Sequence, residues 1–152
     1  MSDINSSKDI TAFLLPIDPD KLLLPNTSIA EVISVATMIP VAKKPNWFLG
    51  KLGWHGRTLP IISFGRIDSK VDKLGQFRHA AIIRGGNFPE ELPVFAIALS
   101  EPPRMMRLTR ADMITVEEEV GLATQAIVEV AGHRAIIPNI AYIEKMLIEE
   151  LV

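Results

Sequence analysis

The sequence predicts a mainly β chain of the small-barrel or sandwich class, and three observations carry that expectation. Short apolar runs recur along its 152 residues, each closed by turn-forming residues, and 9 Gly and 11 Pro supply the punctuation. Only the C-terminal segment carries an apolar stripe at helical spacing. A hydrophobic content of 48% against 22% charged residues belongs to a folded globular chain, and the length suits one domain with a core of its own.

The elements follow in order. Residues Met1 to Ile10 are polar, carry both charge signs and lack an apolar signal-peptide core, so they read as a short loose tail. Phe13 to Ile17 and Leu22 to Leu24 are apolar runs separated by Asp18-Pro19-Asp20-Lys21, the pattern of a hairpin with Pro19 presetting a turn dihedral. Ser28 to Val35 fits neither period and reads as a helical turn running into a strand. Pro40 and Pro45 bracket Lys43-Lys44, and Asn46 to Gly50 is expected to form one helical turn ending at glycine.

The clearest hairpin comes next. Lys51 to Trp54 leads into His55-Gly56-Arg57 and Thr58 to Phe64 leads out, with glycine at the reversal, where a positive φ costs little. Residues 65 to 77 are polar and read as a loop with room for a helical turn. His79 to Arg84 and Pro93 to Leu99 are expected to pair as strands across the turn signal Gly85-Gly86-Asn87-Phe88-Pro89. Met113 to Val116 reads as a strand, and Gln125 to Ile137 as a hairpin broken at Gly132-His133. The chain closes on a helix capped by Asn139, with Ile140, Ile143, Leu147, Ile148 and Leu151 on one stripe and glutamates on the other face.

Composition removes several classes of function. With no cysteine, a disulfide framework, a thiolate nucleophile and every cysteine-based metal or cluster site are excluded, and the cytoplasm is the expected location. No run approaches the roughly 18 apolar residues of a membrane span. The net charge of −2 conceals an asymmetry: residues 1–110 hold 14 Lys/Arg against 10 Asp/Glu, or +4, and residues 111–152 hold 2 against 8, or −6. Such a split can steer a partner, but it is not the uniformly basic character of a nucleic-acid-binding domain.

The residues that could carry chemistry have plain readings beside the functional ones. His55, His79 and His133 are isolated, without partners at metal-ligand spacing. No nucleophile-elbow, Walker or dinucleotide glycine motif occurs, and Arg84-Gly85-Gly86-Asn87 reads as a turn rather than a phosphate cradle. Glu117-Glu118-Glu119 is expected to be a solvated loop, because three successive acids cannot all face one ion. Trp47, Phe48 and Trp54 are assigned to core and hairpin packing rather than to a base-stacking platform. Arg104, Arg107 and Arg110, spaced by three, are either a cationic stripe for an acidic partner or a solvated face. Two other classes stay open at this point: a small barrel hydrolase or transferase, which lacks an evident nucleophile and base, and a nucleic-acid-binding or other ligand-binding barrel.

The order of elements resembles the CheW-like coupling proteins of bacterial chemosensory arrays, across nearly the whole chain. The residues that carry the resemblance are Ile29-Ala30-Glu31-Val32, Pro40 with Pro45, Phe48-Leu49-Gly50, Gly53-Trp54-His55-Gly56 and Leu59-Pro60-Ile61-Ile62, followed by Val94 to Ser100 and Gln125 to Leu151. Two departures mark a divergent branch, of the kind serving pilus-based motility. His55 stands where the family places an arginine before the hairpin glycine, and Ser63 and Ser100 stand where it ends two strands in aspartate.

The resemblance implies a fold and a function. The fold is mainly β: two small five-stranded SH3-like barrels packed together, with short helices and a C-terminal helix, forming one domain over residues 11–152 after a flexible tail at 1–10. The function is non-catalytic and needs no cofactor and no metal. Such an adaptor joins the cytoplasmic tip of a methyl-accepting chemoreceptor to the regulatory domain of a CheA-like histidine kinase, without nucleic acid and without direct membrane insertion, in the cytoplasm beside receptor arrays. It places Ile29, Glu31, Gly50, His55 and Gly56 on the partner-binding motif and implies a bridge between Glu31 and His55. A His–carboxylate bridge offers one strong hydrogen bond and depends on pH, where the family's arginine offers two and does not.

Overall fold

In the computed structural model, residues 9–68 and 75–151 are described; residues 1–8 of the tail expected at 1–10 and part of the 65–77 loop lie outside them, and Ile10, expected in the tail, opens the first strand. The strands are β1 (Ile10–Pro16), β2 (Lys21–Pro25), β3 (Ile29–Ser34), β4 (Phe48–Trp54), β5 (Arg57–Ile62), β6 (His79–Ile83), β7 (Phe95–Leu99), β8 (Arg104–Leu108), β9 (Met113–Val116), β10 (Thr124–Val130) and β11 (His133–Pro138). Two helices, α1 (Phe64–Asp68) and α2 (Ile140–Leu151), and the 3-10 turns Asn26–Ser28 and Arg110–Asp112 complete the described elements. The chain is mainly β, as its punctuation predicts, and its strands form two sheets. One has the order β8-β1-β2-β11-β10-β9 and is built from both ends of the chain; the other, β3-β6-β7-β5-β4, comes from the middle. The first sheet thus counts six strands where five were expected.

Turn chemistry sets the hairpins. The β4–β5 reversal holds His55 at φ 47° and Gly56 at φ 75° between the paired Trp54 and Arg57. Two positive φ values in a two-residue loop match the right-handed twist of the flanking strands. The β10–β11 reversal uses the same geometry at Ala131 (φ 47°) and Gly132 (φ 79°), one residue earlier than the sequence suggested. Between β1 and β2 the Asp18–Pro19 peptide is cis, and the Ile17 N–H donates to the Asp20 carbonyl at 2.9 Å. The 3-10 turn Asn26–Ser28 runs into β3, as read from the sequence.

Three expectations are corrected. Asn46 to Gly50 is not a helical turn: Phe48 opens β4 and pairs with Ile62. The run Arg104 to Leu108 is an unforeseen strand, β8, which pairs with β1. Alternation along it puts Arg104 and Arg107 on opposite faces, so no cationic stripe forms. The glutamates of α2 do not all face away from the core, because Glu144 is completely buried.

Alternating side chains build three cores. Leu15, Leu22 and Ile136 of the first sheet meet Ile62, Ile83, Phe95, Ile97 and Leu99 of the second in a central core. Their sequence neighbours turn to the opposite faces. Leu14, Leu23, Val128 and Ala135 fill the interior of the first sheet. Leu59, Ile61, Ala80, Ile82, Ala96 and Ala98 fill that of the second, where the alanines leave room for tight curvature. Each fully buried Leu, Ile or Phe contributes about 1.5–3 kcal/mol.

Helix α2 completes the central core with Ile143 and Leu147, both fully buried. Asn139 caps it as expected, its Oδ1 accepting the Tyr142 N–H at 3.1 Å. Glu144 lies one turn beyond Ile140 and three residues before Leu147, which sets it on the buried stripe. Asn87 Nδ2 donates to its Oε1 at 2.7 Å. Gly85 makes the space: a Cβ there would sit 2.0 Å from Glu144 Oε2.

Candidate functional site

The site begins with an irregularity in β3. Ile29 pairs with Ile83 and Glu31 with Ile82, so one extra residue is inserted between them. Such a bulge re-aims a side chain. The unpaired residue is Ala30; Ile29 and Val32 face the central core, Ala30 and Ile33 face the interior of the second sheet, and Glu31, just after the bulge, is exposed.

The second sheet curls until its two edge strands, β3 and β4, meet through Glu31. The Trp54 indole Nε1–H, at the end of β4, donates to Glu31 Oε1 at 2.9 Å. His55 Nε2 lies 3.1 Å from the same oxygen. The two rings stand edge to face with centroids 4.6 Å apart. Trp54 first, and His55 after it, hold the Glu31 carboxyl below the usual carboxylate range by stabilising its charged form. The pair remains wet, with the His55 side chain 68% exposed and that of Glu31 45%.

Beside this clasp lies a cleft of about 530 Å³, lined by Ala30, Glu31, Trp54, Arg57, Arg84 and Val94, with His55 at its edge. A second cleft of about 410 Å³ shares Arg57 and Val94 with it and continues past Lys51, Leu59, Leu92 and Pro93. The side chains of Lys51, Arg57 and Arg84 have no hydrogen-bonding or ionic partner among the described residues. Apolar residues line the clefts together with three cations and the carboxylates Glu31 and Glu91, an arrangement that suits a protein segment rather than a reaction.

Of the residues singled out from the sequence, Glu31, His55 and Gly56 come together here. Ile29 does not share that surface: it is 9% exposed and packs in the central core. Gly50 is also buried, at a second bulge where β4 crosses Ile39, and a Cβ would lie 2.8 Å from the Ile39 carbonyl oxygen. Ser63, at an expected aspartate position, is buried and caps α1, accepting the Arg66 N–H at 3.4 Å. The Ser100 N–H donates to the Pro16 carbonyl at 2.9 Å and so ties the two sheets.

Trp54, Arg57 and Arg84 are the residues that sequence reasoning did not place in the site. Adjacency to His55 was a signal for Trp54. Arg57 and Arg84 lie far apart in sequence and meet only through sheet pairing. No group of three or more His, Asp or Glu among the described residues could hold a metal ion. No described helix is long and apolar enough to cross a membrane.

No family model matches the chain, and no curated protein matches it. A solved structure does: the scaffolding protein TtCheW from Thermoanaerobacter tengcongensis superposes with a TM-score of 0.72, covering 87% of this chain and 85% of that one. The chain has the fold of a CheW scaffolding protein. At 9% identity the likeness lies in the backbone, and it extends through both sheets because the match spans most of either chain. Within that CheW-like fold, the Glu31 clasp occupies the mouth of the sheet built from the middle of the chain.

Proposed function

We propose that this chain is a non-catalytic signalling adaptor that couples chemoreceptors to a CheA-like histidine kinase. The observation that carries the reading is the CheW-like fold over 87% of the chain, joined to a rim site built for contact rather than chemistry. In this reading residues 11–152 act as one domain of two subdomains, in the cytoplasm beside membrane receptor arrays. The cytoplasmic tip of a receptor lies along the cleft edged by Glu31, His55 and Gly56, and the kinase regulatory domain meets an apolar barrel end. Ile29 and Gly50 serve the site from beneath by fixing the bulged strands that present it. The divergent clasp belongs to a pilus-type motility branch.

Calorimetric titration with the regulatory domain of a CheA-like kinase from the same genome, at low and high salt, tests the proposal. Saturable binding that persists at high salt is expected, because burial of apolar surface is not screened. Absence of binding to that domain and to receptor-tip fragments overturns it.

A further inference from the structure

The connection from β6 to β7 forms a wall common to both clefts. Arg84 and Val94 line the first cleft, and Glu91 to Val94 line the second together with Leu151 at the end of α2. Seven residues, or two helical turns, separate Glu144 from Leu151 and set both on one face of α2. The helix therefore reaches the connection beside Arg84 and the second cleft at Leu151.

The Glu144 contact is one that packing alone does not explain. Its buried neighbours Ile143 and Leu147 are apolar, whereas Glu144 is completely buried with a partner for one oxygen only. Asn87 Nδ2 donates to Oε1 at 2.7 Å, and Oε2 has no partner among the described residues. A buried carboxyl oxygen left alone lowers stability, and an apolar side chain of similar volume in its place is often neutral or stabilising.

The carboxyl does hold the turn. It fills the space a side chain at residue 85 would need: the three nearest atoms to a Cβ on Gly85 would all be those of Glu144, at 2.0 to 2.6 Å. The Arg84 N–H donates to the Ser28 carbonyl at 2.8 Å, and the next hydrogen bond along the connection is that of Asn87 with Glu144. Gly85 and Gly86, with the freest backbones, lie between these two anchors. The far end of α2 is tied down in turn. Lys44 Nζ donates to the Glu150 carbonyl, lies 3.8 Å from the Glu150 carboxylate and stands 5.6 Å from the centre of the Phe48 ring.

We propose that Glu144 is a positioning residue for the cleft: by clamping the Gly85–Asn87 turn to α2, it fixes the direction in which Arg84 is presented to a partner carboxylate. Stability lost at Oε2 is exchanged for a fixed turn. The coupling is reciprocal, so a partner that engages Arg84 also tightens the connection against α2. That the partner is a receptor tip rests on the adaptor reading above; the clamp itself does not.

Three substitutions separate this role from plain packing. Glu144→Leu removes the clamp and fills its place with apolar atoms. The melting temperature is expected to hold or rise, while the amide order parameters of Gly85, Gly86 and Asn87, measured by NMR relaxation, fall from about 0.85 to about 0.6. Glu144→Gln keeps an oxygen for Asn87 and should restore them. Calorimetric titration of the full chain with the cytoplasmic-tip fragment of a chemoreceptor from the same genome should show about tenfold weaker binding for Glu144→Leu and binding within about twofold of wild type for Glu144→Gln. Added to Arg84→Ala, Glu144→Leu should weaken binding no further, because the side chain it positions is gone. Unchanged order parameters in Glu144→Leu, a melting temperature that falls in step with affinity, or an equal loss with and without Arg84 overturns the proposal. If wild type does not bind the fragment, the receptor reading fails and the order parameters decide the clamp: loosening by Leu that Gln reverses upholds it, and any other pattern overturns it.

Discussion

At Glu31 one carboxylate oxygen takes two donors of different character. The indole N–H of Trp54 is a permanent donor, whereas an imidazole nitrogen donates or accepts according to its tautomer. Trp54 is the larger cause of the lowered Glu31 pKa and His55 the next, so the clasp rests more on the indole than the His–carboxylate pairing alone suggests. The folded pKa lies below the ordinary value of 4.5. The ionised form therefore stabilises the fold at pH above the unfolded value, and that contribution is lost as pH falls through the folded one. Trp54→Phe is expected to raise the Glu31 pKa more than His55→Ala does, read by NMR titration of the side-chain carboxyl. Equal or reversed shifts would show that the indole bond is not the dominant one. His55→Arg supplies a donor charged at every pH and should raise the melting temperature modestly near neutrality; an unchanged or lowered value counts against the pairing.

Glycine has two different reasons at the element scale, and they separate in stability. Gly56 sits at φ 75° with nothing within 4 Å of an added Cβ, so Gly56→Ala meets backbone strain alone, about 1–2 kcal/mol. Gly50 combines φ 152° with the Ile39 carbonyl oxygen 2.8 Å from an added Cβ, so Gly50→Ala must also displace the crossing segment. Chemical denaturation should show the Gly50 substitution to be the costlier of the two, by about 1 kcal/mol or more.

The same scale shows what could be read from the sequence. Apolar runs with turn residues between them located both tight hairpins, and the Asn139 cap with its stripe located α2. Arg104 to Leu108 escaped because an edge strand with solvent on one side tolerates arginines and methionines, which hides its alternation. Phe48-Leu49-Gly50 suggested a turn because the bulge there breaks the period of two. The Glu31–His55 bridge was an expectation from family resemblance, whereas its third member, Trp54, and the neighbouring Arg57 and Arg84 depend on strand curl and register, which no local pattern encodes.

For the whole molecule, the decisive feature is that the central core belongs to neither sheet alone. Leu15, Leu22 and Ile136 from one sheet and Ile83, Ile97 and Leu99 from the other lie in it together, and α2 adds Ile143 and Leu147. Either sheet without the other exposes that face to water, so neither has a complete core of its own. Chain order reinforces the coupling: the first sheet is built from both ends of the chain, and its β1–β2 and β8–β11 segments close around the second. Unfolding should therefore be one cooperative event despite the two-sheet architecture, with calorimetric and van't Hoff enthalpies in agreement. Leu147→Ala in the central core and Ile82→Ala in the interior of the second sheet should each cost about 2–5 kcal/mol and shift that single transition without splitting it. Two resolved transitions, with only one of them moved by Ile82→Ala, would instead make the sheets independent folding units and reduce the central core to a docking interface.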